Sequence, residues 1–129
     1  MNDVGESLRR LESFLNDRQI DPEAVFSAVL VLEEVLTNII KYSYGEGTDE
    51  EILVEVSVGV AELSLRFTDG GREFDWESAP GPDMDRPIED RPIGGLGIHL
   101  VRNLARRMAY RRLENKNVLE LILPVRPEP

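Results

Sequence analysis

Two neighbouring stretches of strict alternation constrain this chain more than any other feature. In Glu51–Val60 (EILVEVSVGV), Ile52, Val54, Val56 and Val58 fall on one side, and in Ala61–Thr68 so do Leu63, Leu65 and Phe67. A period of two means strands with one buried face, and Gly59 between them predicts an antiparallel hairpin. A second pair, Met108–Leu113 and Val118–Val125, flanks a turn at Glu114-Asn115-Lys116-Asn117. Helical spacing fills much of the rest. Leu8, Leu11, Phe14 and Leu15 predict a short helix from Ser7 to about Arg18. Asp21-Pro22 supplies an N-cap followed by proline at the first helical position. The helix it starts runs to about Ser43, where Gly45 and Gly47 stop it, and carries Val25, Ala28, Leu32, Val35, Leu36 and Ile39 on its apolar face. A third helix leads from Gly94-Gly95-Leu96-Gly97 to about Arg107. The order helix, helix, strand, strand, loop, helix, strand, strand predicts an α+β fold, one sheet with helices on one face in a two-layer sandwich.

Composition narrows the functional classes. At 129 residues the chain has the length of a single domain, residues 1–129, with enough material for a core. The absence of Cys excludes a disulfide scaffold, a thiolate metal site and a cysteine nucleophile. Fifteen Lys and Arg against 25 Asp and Glu leave a net charge of −10, which argues against direct nucleic-acid binding. No apolar run approaches the roughly 18–20 residues needed to span a bilayer. The N-terminus, MNDVGESLRRLESF, lacks the basic-then-apolar pattern of a signal peptide, so a cytoplasmic location without membrane association is expected.

Three motifs carry chemistry. Glu34 and Asn38 are four residues apart on the long helix and therefore stack on one face, with Ser27 and Lys41. Taken alone that face reads as a solvated flank. As a functional pair it offers a carboxylate that polarises a hydroxyl or water and an amide oxygen that ligates a hard cation. Glu33 is a weaker partner, because its i+4 neighbour is Thr37. The second motif, Asp69-Gly70-Gly71-Arg72-Glu73-Phe74-Asp75, follows a strand. Asp-Gly-Gly is an ordinary turn sequence, but a carboxylate at a strand end also accepts a hydrogen bond from an exocyclic amine, and Gly71 lets backbone approach a flat ring. The third is Gly94-Gly95-Leu96-Gly97-Ile98-His99-Leu100-Val101, where glycines at a helix N-terminus free backbone N–H groups for an anion. It is either a hinge or a phosphate site. Between the last two motifs lies a long irregular segment from Gly70 to Ile93 with seven acidic and three basic residues, read as a lid or binding loop.

Together, in this order and spacing, the three motifs resemble the GHKL (Bergerat) ATP-binding fold of the histidine-kinase-like ATPase superfamily. Within it, EEVLTNIIKYSY and RPIGGLGIHLVRNLARRMAYRR resemble the anti-sigma factor serine/threonine kinases, the RsbW and SpoIIAB group of bacteria. The resemblance covers roughly residues 5–125. It implies a mixed, mostly antiparallel sheet under its helices, with ATP and Mg²⁺ as cofactors. Asn38 then corresponds to the residue that holds the metal, and Glu34 to the general base. Asp69 corresponds to the carboxylate that reads the adenine amine, above Gly71. The resemblance extends the cofactor-binding set to Phe74, beneath the lid, and to Gly94, Gly95, Leu96, Gly97 and Ile98 at the lid's far end; the lid spans about residues 72–96. The implied partners are a STAS-type anti-anti-sigma protein, whose Ser or Thr receives the γ-phosphoryl, and a sigma factor, with a homodimer as the implied assembly. This sequence departs from the family in three places: only about six residues precede the first helix, where an edge strand is usual, Tyr42 stands where His is frequent, and the lid carries the acidic stretch Asp83 to Asp90.

Two other classes compete with the kinase. One is a nucleotide-dependent protein-binding switch that transfers nothing. The other is the detached ATPase part of a histidine kinase, disfavoured because the one His, His99, lies inside the second glycine box. His99 otherwise reads as a packing or surface residue, Trp76 as an anchor for the start of the lid. Arg102, Arg106, Arg107, Arg111 and Arg112 read either as charge balance near a helix C-terminus or as a docking patch.

Overall fold

A computed structural model describes residues 4–44, 51–74, 76 and 95–126. Helix α1 (Val4–Asp17) is followed by α2 (Pro22–Asn38), which continues into a π-helical turn over Ile39–Tyr44. The hairpin β1 (Ile52–Val58) and β2 (Glu62–Asp69) comes next, then α3 (Gly95–Leu104) and a second hairpin, β3 (Arg107–Leu113) and β4 (Lys116–Pro124). The four strands form one sheet in the order β1-β2-β4-β3, and each pairing is antiparallel. The α+β reading therefore holds, with the described part of the sheet wholly antiparallel.

Local chemistry explains the boundaries. Asp21 caps α2 by accepting the Glu23 N–H at 2.9 Å, ahead of Pro22. Helix α1 ends where Gln19 turns into the left-handed region (φ 58°) and the Ile20 N–H reaches back to the Leu15 carbonyl. Regular α-helix stops at Asn38, earlier than the periodicity suggests, because the next turn is wound more loosely. Helix α3 ends at Leu104, and Arg107 already belongs to β3. The second turn is also tighter than the sequence suggests. It holds only Glu114 and Asn115, both at positive φ (51° and 64°), as a two-residue type I′ hairpin requires. Lys116 and Asn117 are strand residues.

The helix-facing side of the sheet is built in cross-strand rows. Val54, Phe67, Leu119 and Tyr110 form one row, and Val56, Leu65, Leu121 and Met108 the next. Helix α2 packs over them and is buried on most of its circumference, at Ala24, Val25, Ala28, Val31, Leu32, Val35 and Leu36. The inward side chains of β1 stay half-buried, because a groove lined by Leu11, Phe14, Leu32, Val54 and Val56 lies between α1 and this edge strand. On the opposite face, Arg66 joins Glu55 and Glu120 in a charge row at 3.9 and 3.1 Å. At the end of the sheet, Arg106 and Arg107 both meet Glu62, at 3.2 and 3.1 Å. No helix among the described residues is long and apolar enough to cross a membrane.

Two measurements test this arrangement. Phe67→Ala removes a ring that is 1% exposed and should cost about 3–5 kcal/mol in chemical denaturation, whereas Val60→Ser, at a site 96% exposed, should stay within about 0.5 kcal/mol. The hydrogen bond from Arg106, aided by Arg107, holds the Glu62 carboxyl below its ordinary pKa. That contribution is present above the ordinary carboxylate range and is lost as pH falls through the lowered value. NMR titration of Arg106→Gln should show the Glu62 midpoint moving up.

Candidate functional site

The fold turns the Glu34–Asn38 face inward. Asn38 is 5% exposed, so the solvated-flank reading fails there. What covers it is the start of α3. A Cβ placed on Gly97 would stand 2.5 Å from Glu34 Oε2 and 3.2 Å from Asn38 Nδ2. A side chain here would displace the Glu34 carboxylate from its present position, so glycine lets the acid and the amide sit against the start of α3. The first and third motifs are thus brought into contact.

Asn38 has an incomplete hydrogen-bond inventory. Its Nδ2 donates to the Glu34 carbonyl at 2.7 Å, which fixes the amide, since the reverse orientation would oppose two carbonyl oxygens. Its Oδ1 is buried with no partner among the described residues. An orphaned amide oxygen is costly in an interior and is the type of ligand a hard cation takes. The donor set therefore fits Mg²⁺. Among the described residues no group of three His, Cys, Asp or Glu converges, so a cation here would draw on Asn38 and on its substrate's own oxygens. Glu34 is half-buried beside it, whereas Glu33 is exposed and its turn is occupied by the Thr37 hydroxyl, which donates to the Glu33 and Glu34 carbonyls.

The second motif lies at the end of the sheet's inner face. Asp69 is 4% exposed and continues the inward series Leu63, Leu65, Phe67. Its Oδ1 accepts from the Gly71 N–H at 2.9 Å and from Asn117 Nδ2 at 3.0 Å. Asn117, 3% exposed and directly across from Asp69, is absent from the sequence-derived site. The signal was present. Extending the alternation of Leu123, Leu121 and Leu119 by one more step reaches Asn117, but reading residues 114–117 as turn hides it.

The other predicted residues separate into groups. Gly95 and Leu96 open α3, and Gly94 lies outside the described residues, as do Asp75 and residues 77–93 of the lid. Ile98 is 4% exposed within the core, which leaves its backbone as the part available to a ligand. Phe74 packs against the core and meets Trp76 edge-on, with ring centroids 5.4 Å apart. Trp76 is buried, and Arg102 donates to its carbonyl at 2.7 Å, tying the segment after β2 to α3. Four of the arginines in the cluster have partners within the chain. Arg102 serves Trp76, Arg106 and Arg107 serve Glu62, and Arg112 donates to the Gly71 carbonyl at 2.8 Å. His99 is exposed and pairs with Asn103.

A sheet covered by helices on one face, with an acid–amide helix motif meeting a glycine-opened helix beside a buried strand-end carboxylate, is the architecture of one ATPase class. The chain matches the family described as histidine kinase-like ATPase domain over residues 1–123, and it belongs to that family. Its relatives include the serine/threonine-protein kinase BtrW of Bordetella bronchiseptica, 29% identical over 103 residues that make up 80% of this chain and 72% of BtrW. They also include the serine-protein kinase RsbW of Listeria monocytogenes, 34% identical over 86 residues, which make up 64% of this chain and 55% of RsbW. Among solved structures, the blue-light activated histidine kinase EL346 of Erythrobacter litoralis matches 95% of this chain and 42% of its own, with a TM-score of 0.58 at 19% identity. That likeness bears on the fold.

The orphaned oxygen yields a test on the free protein. Asn38→Leu removes it together with one hydrogen bond, so stability without ligand should be unchanged within about 1 kcal/mol or higher, as read by denaturant titration. A clear loss would mean that the oxygen has a partner.

Proposed function

We propose that this chain is a single Mg²⁺-ATP-binding domain, residues 1–129 with its lid at about 72–96, that acts as a protein serine/threonine kinase. Its substrate in this reading is a STAS-type anti-anti-sigma protein, and a sigma factor is its second partner. The observation that carries the reading is the meeting of Glu34, Asn38 and Gly97, with the buried Asn38 oxygen left without a partner. The serine kinases among its relatives support the choice of reaction.

Each residue has a distinct task. Asn38 holds the cation through Oδ1, and Gly95, Leu96 and Gly97 present backbone N–H groups at the α3 N-terminus to phosphate oxygens. When bound, the cation supplies neutralisation of phosphate charge. Asp69 accepts from the exocyclic amine of adenine, and the absence of a side chain at Gly71 leaves room for the ring. Glu34 accepts the proton of the attacking Ser or Thr hydroxyl as its oxygen bonds to the γ-phosphorus and the bond to the leaving ADP oxygen breaks. Transfer of this kind rests on positioning and charge stabilisation, which suits a site with one carboxylate base and no Cys.

Calorimetry with Mg²⁺-ATP tests the binding half. Wild type should bind, and Asp69→Asn should weaken binding by about 10-fold or more, the worth of a charge-assisted hydrogen bond. Absence of heat at millimolar ATP would sink the reading. Glu34→Gln tests the chemistry. It should keep ATP affinity within a few-fold while phosphorylation of a purified STAS partner falls by about 100-fold or more. Partner binding gated by ATP, with no label transferred by wild type, would favour the non-transferring switch instead.

A further inference from the structure

We propose that Asn117 is the positioning residue that makes this pocket select an amino-bearing base, by holding Asp69 with one carboxylate oxygen saturated and the other turned to ligand. The inference rests on the nucleotide reading above and deepens it. Complete hydrogen-bond accounting at a buried side chain carries it.

Asn117 has four hydrogen-bonding positions, and all four are used. Its Nδ2 donates to Asp69 Oδ1 at 3.0 Å and to the Arg72 carbonyl at 2.7 Å, with the Gly71 carbonyl further off at 3.5 Å. Its Oδ1 accepts from the Tyr110 hydroxyl at 2.6 Å and from Arg112 Nη1 at 3.0 Å. The amide cannot be reversed. Arg112 cannot accept, and neither the Asp69 carboxylate nor the Arg72 carbonyl can donate, so a flip would break three of the four contacts and keep only the one to the Tyr110 hydroxyl. Both amide hydrogens are spent on protein acceptors, so Asn117 acts through Asp69.

The consequence falls on Asp69. Its Oδ1 already receives two donors, from Gly71 and Asn117. None of the hydrogen bonds among the described residues falls on Oδ2. An ionised carboxylate with one oxygen saturated is a single, directed acceptor. It matches the exocyclic amine of adenine and opposes the carbonyl oxygen that hypoxanthine carries at the same position. Arg112 and Asn117 together also hold the carbonyls of Gly71 and Arg72, so the turn that carries Gly71 is fixed by the same network. Asp69, Asn117 and Arg112 occupy one cross-strand row, and Tyr110 precedes Arg112 by one inward step along β3.

Calorimetry with the Mg²⁺ complexes of ATP and inosine triphosphate, from pH 5 to 8, tests the assignment. Wild type should favour ATP by about 10- to 100-fold. Asn117→Asp is nearly isosteric but sets a second carboxylate against Asp69, so the pair retains a proton and becomes a donor as well as an acceptor. In that variant the preference should shrink toward unity, and the ratio of the two affinities should change with pH across this range. Tyr110→Phe removes one of the two donors that orient the amide and should reduce the preference partially, by about 3-fold. A folded Asn117→Asp with wild-type preference and a ratio that is flat with pH overturns the proposal and leaves ATP binding standing. If Asn117→Asp does not fold, Tyr110→Phe decides, and an unchanged preference there overturns it. Failure of wild type to bind either nucleotide overturns both this assignment and the reading it rests on.

Discussion

The acid–amide half of this site depends on the contact between α2 and α3 at Gly97. A side chain there would overlap the Glu34 carboxylate and crowd the Asn38 amide. The glycine therefore permits two motifs almost 60 residues apart in sequence to share one surface. The price is a buried amide oxygen with no partner in the free protein. Folding alone does not select such a group, because it costs stability when unpaired. It is the kind of local conflict that marks a ligand site in an otherwise consistent structure.

The rest of the architecture makes that conflict tolerable. Helix α2 is clamped by α1, α3 and the sheet, so Asn38 cannot relax by tilting the helix outward. The π-helical turn that follows Asn38 interrupts the regular ladder at the site itself, as such turns do at functional positions. On the sheet, the apolar rows end in a polar one, Asp69, Asn117 and Arg112, so the carboxylate lies at the boundary of the core with its donors supplied across strands. Its burial is compensated by the two donors that meet Oδ1.

Much of this was legible in the chain. Period-two alternation in β1, β2 and β4 and the Asp21-Pro22 start of α2 reflect local rules that tertiary packing did not override. The pairing of Glu34 with Asn38 follows from helix geometry, but their burial does not, since it depends on which distant segment covers them. Gly97 announces itself as a glycine without naming what it approaches. Asn117 escaped because a run of Glu, Asn, Lys and Asn looks like turn, and only the backbone shows that the turn is two residues long. Arg102 escaped for a similar reason, because its acceptor is a backbone carbonyl, which composition cannot display.

That two-residue turn reaches well beyond its own hairpin. Glu114 and Asn115 set the register of β4 against β3, and side chains on a strand change faces with each residue of slippage. One residue inserted at this exposed bend, with β4 held against β2 by its buried leucines, would shift β3 and carry Tyr110 and Arg112 out of register with Asn117. The length of the bend thus acts as a counting device for the pocket. Among descendants of this gene, exchanges of Glu114 and Asn115 for residues that accept positive φ would be tolerated more readily than a change in the bend's length.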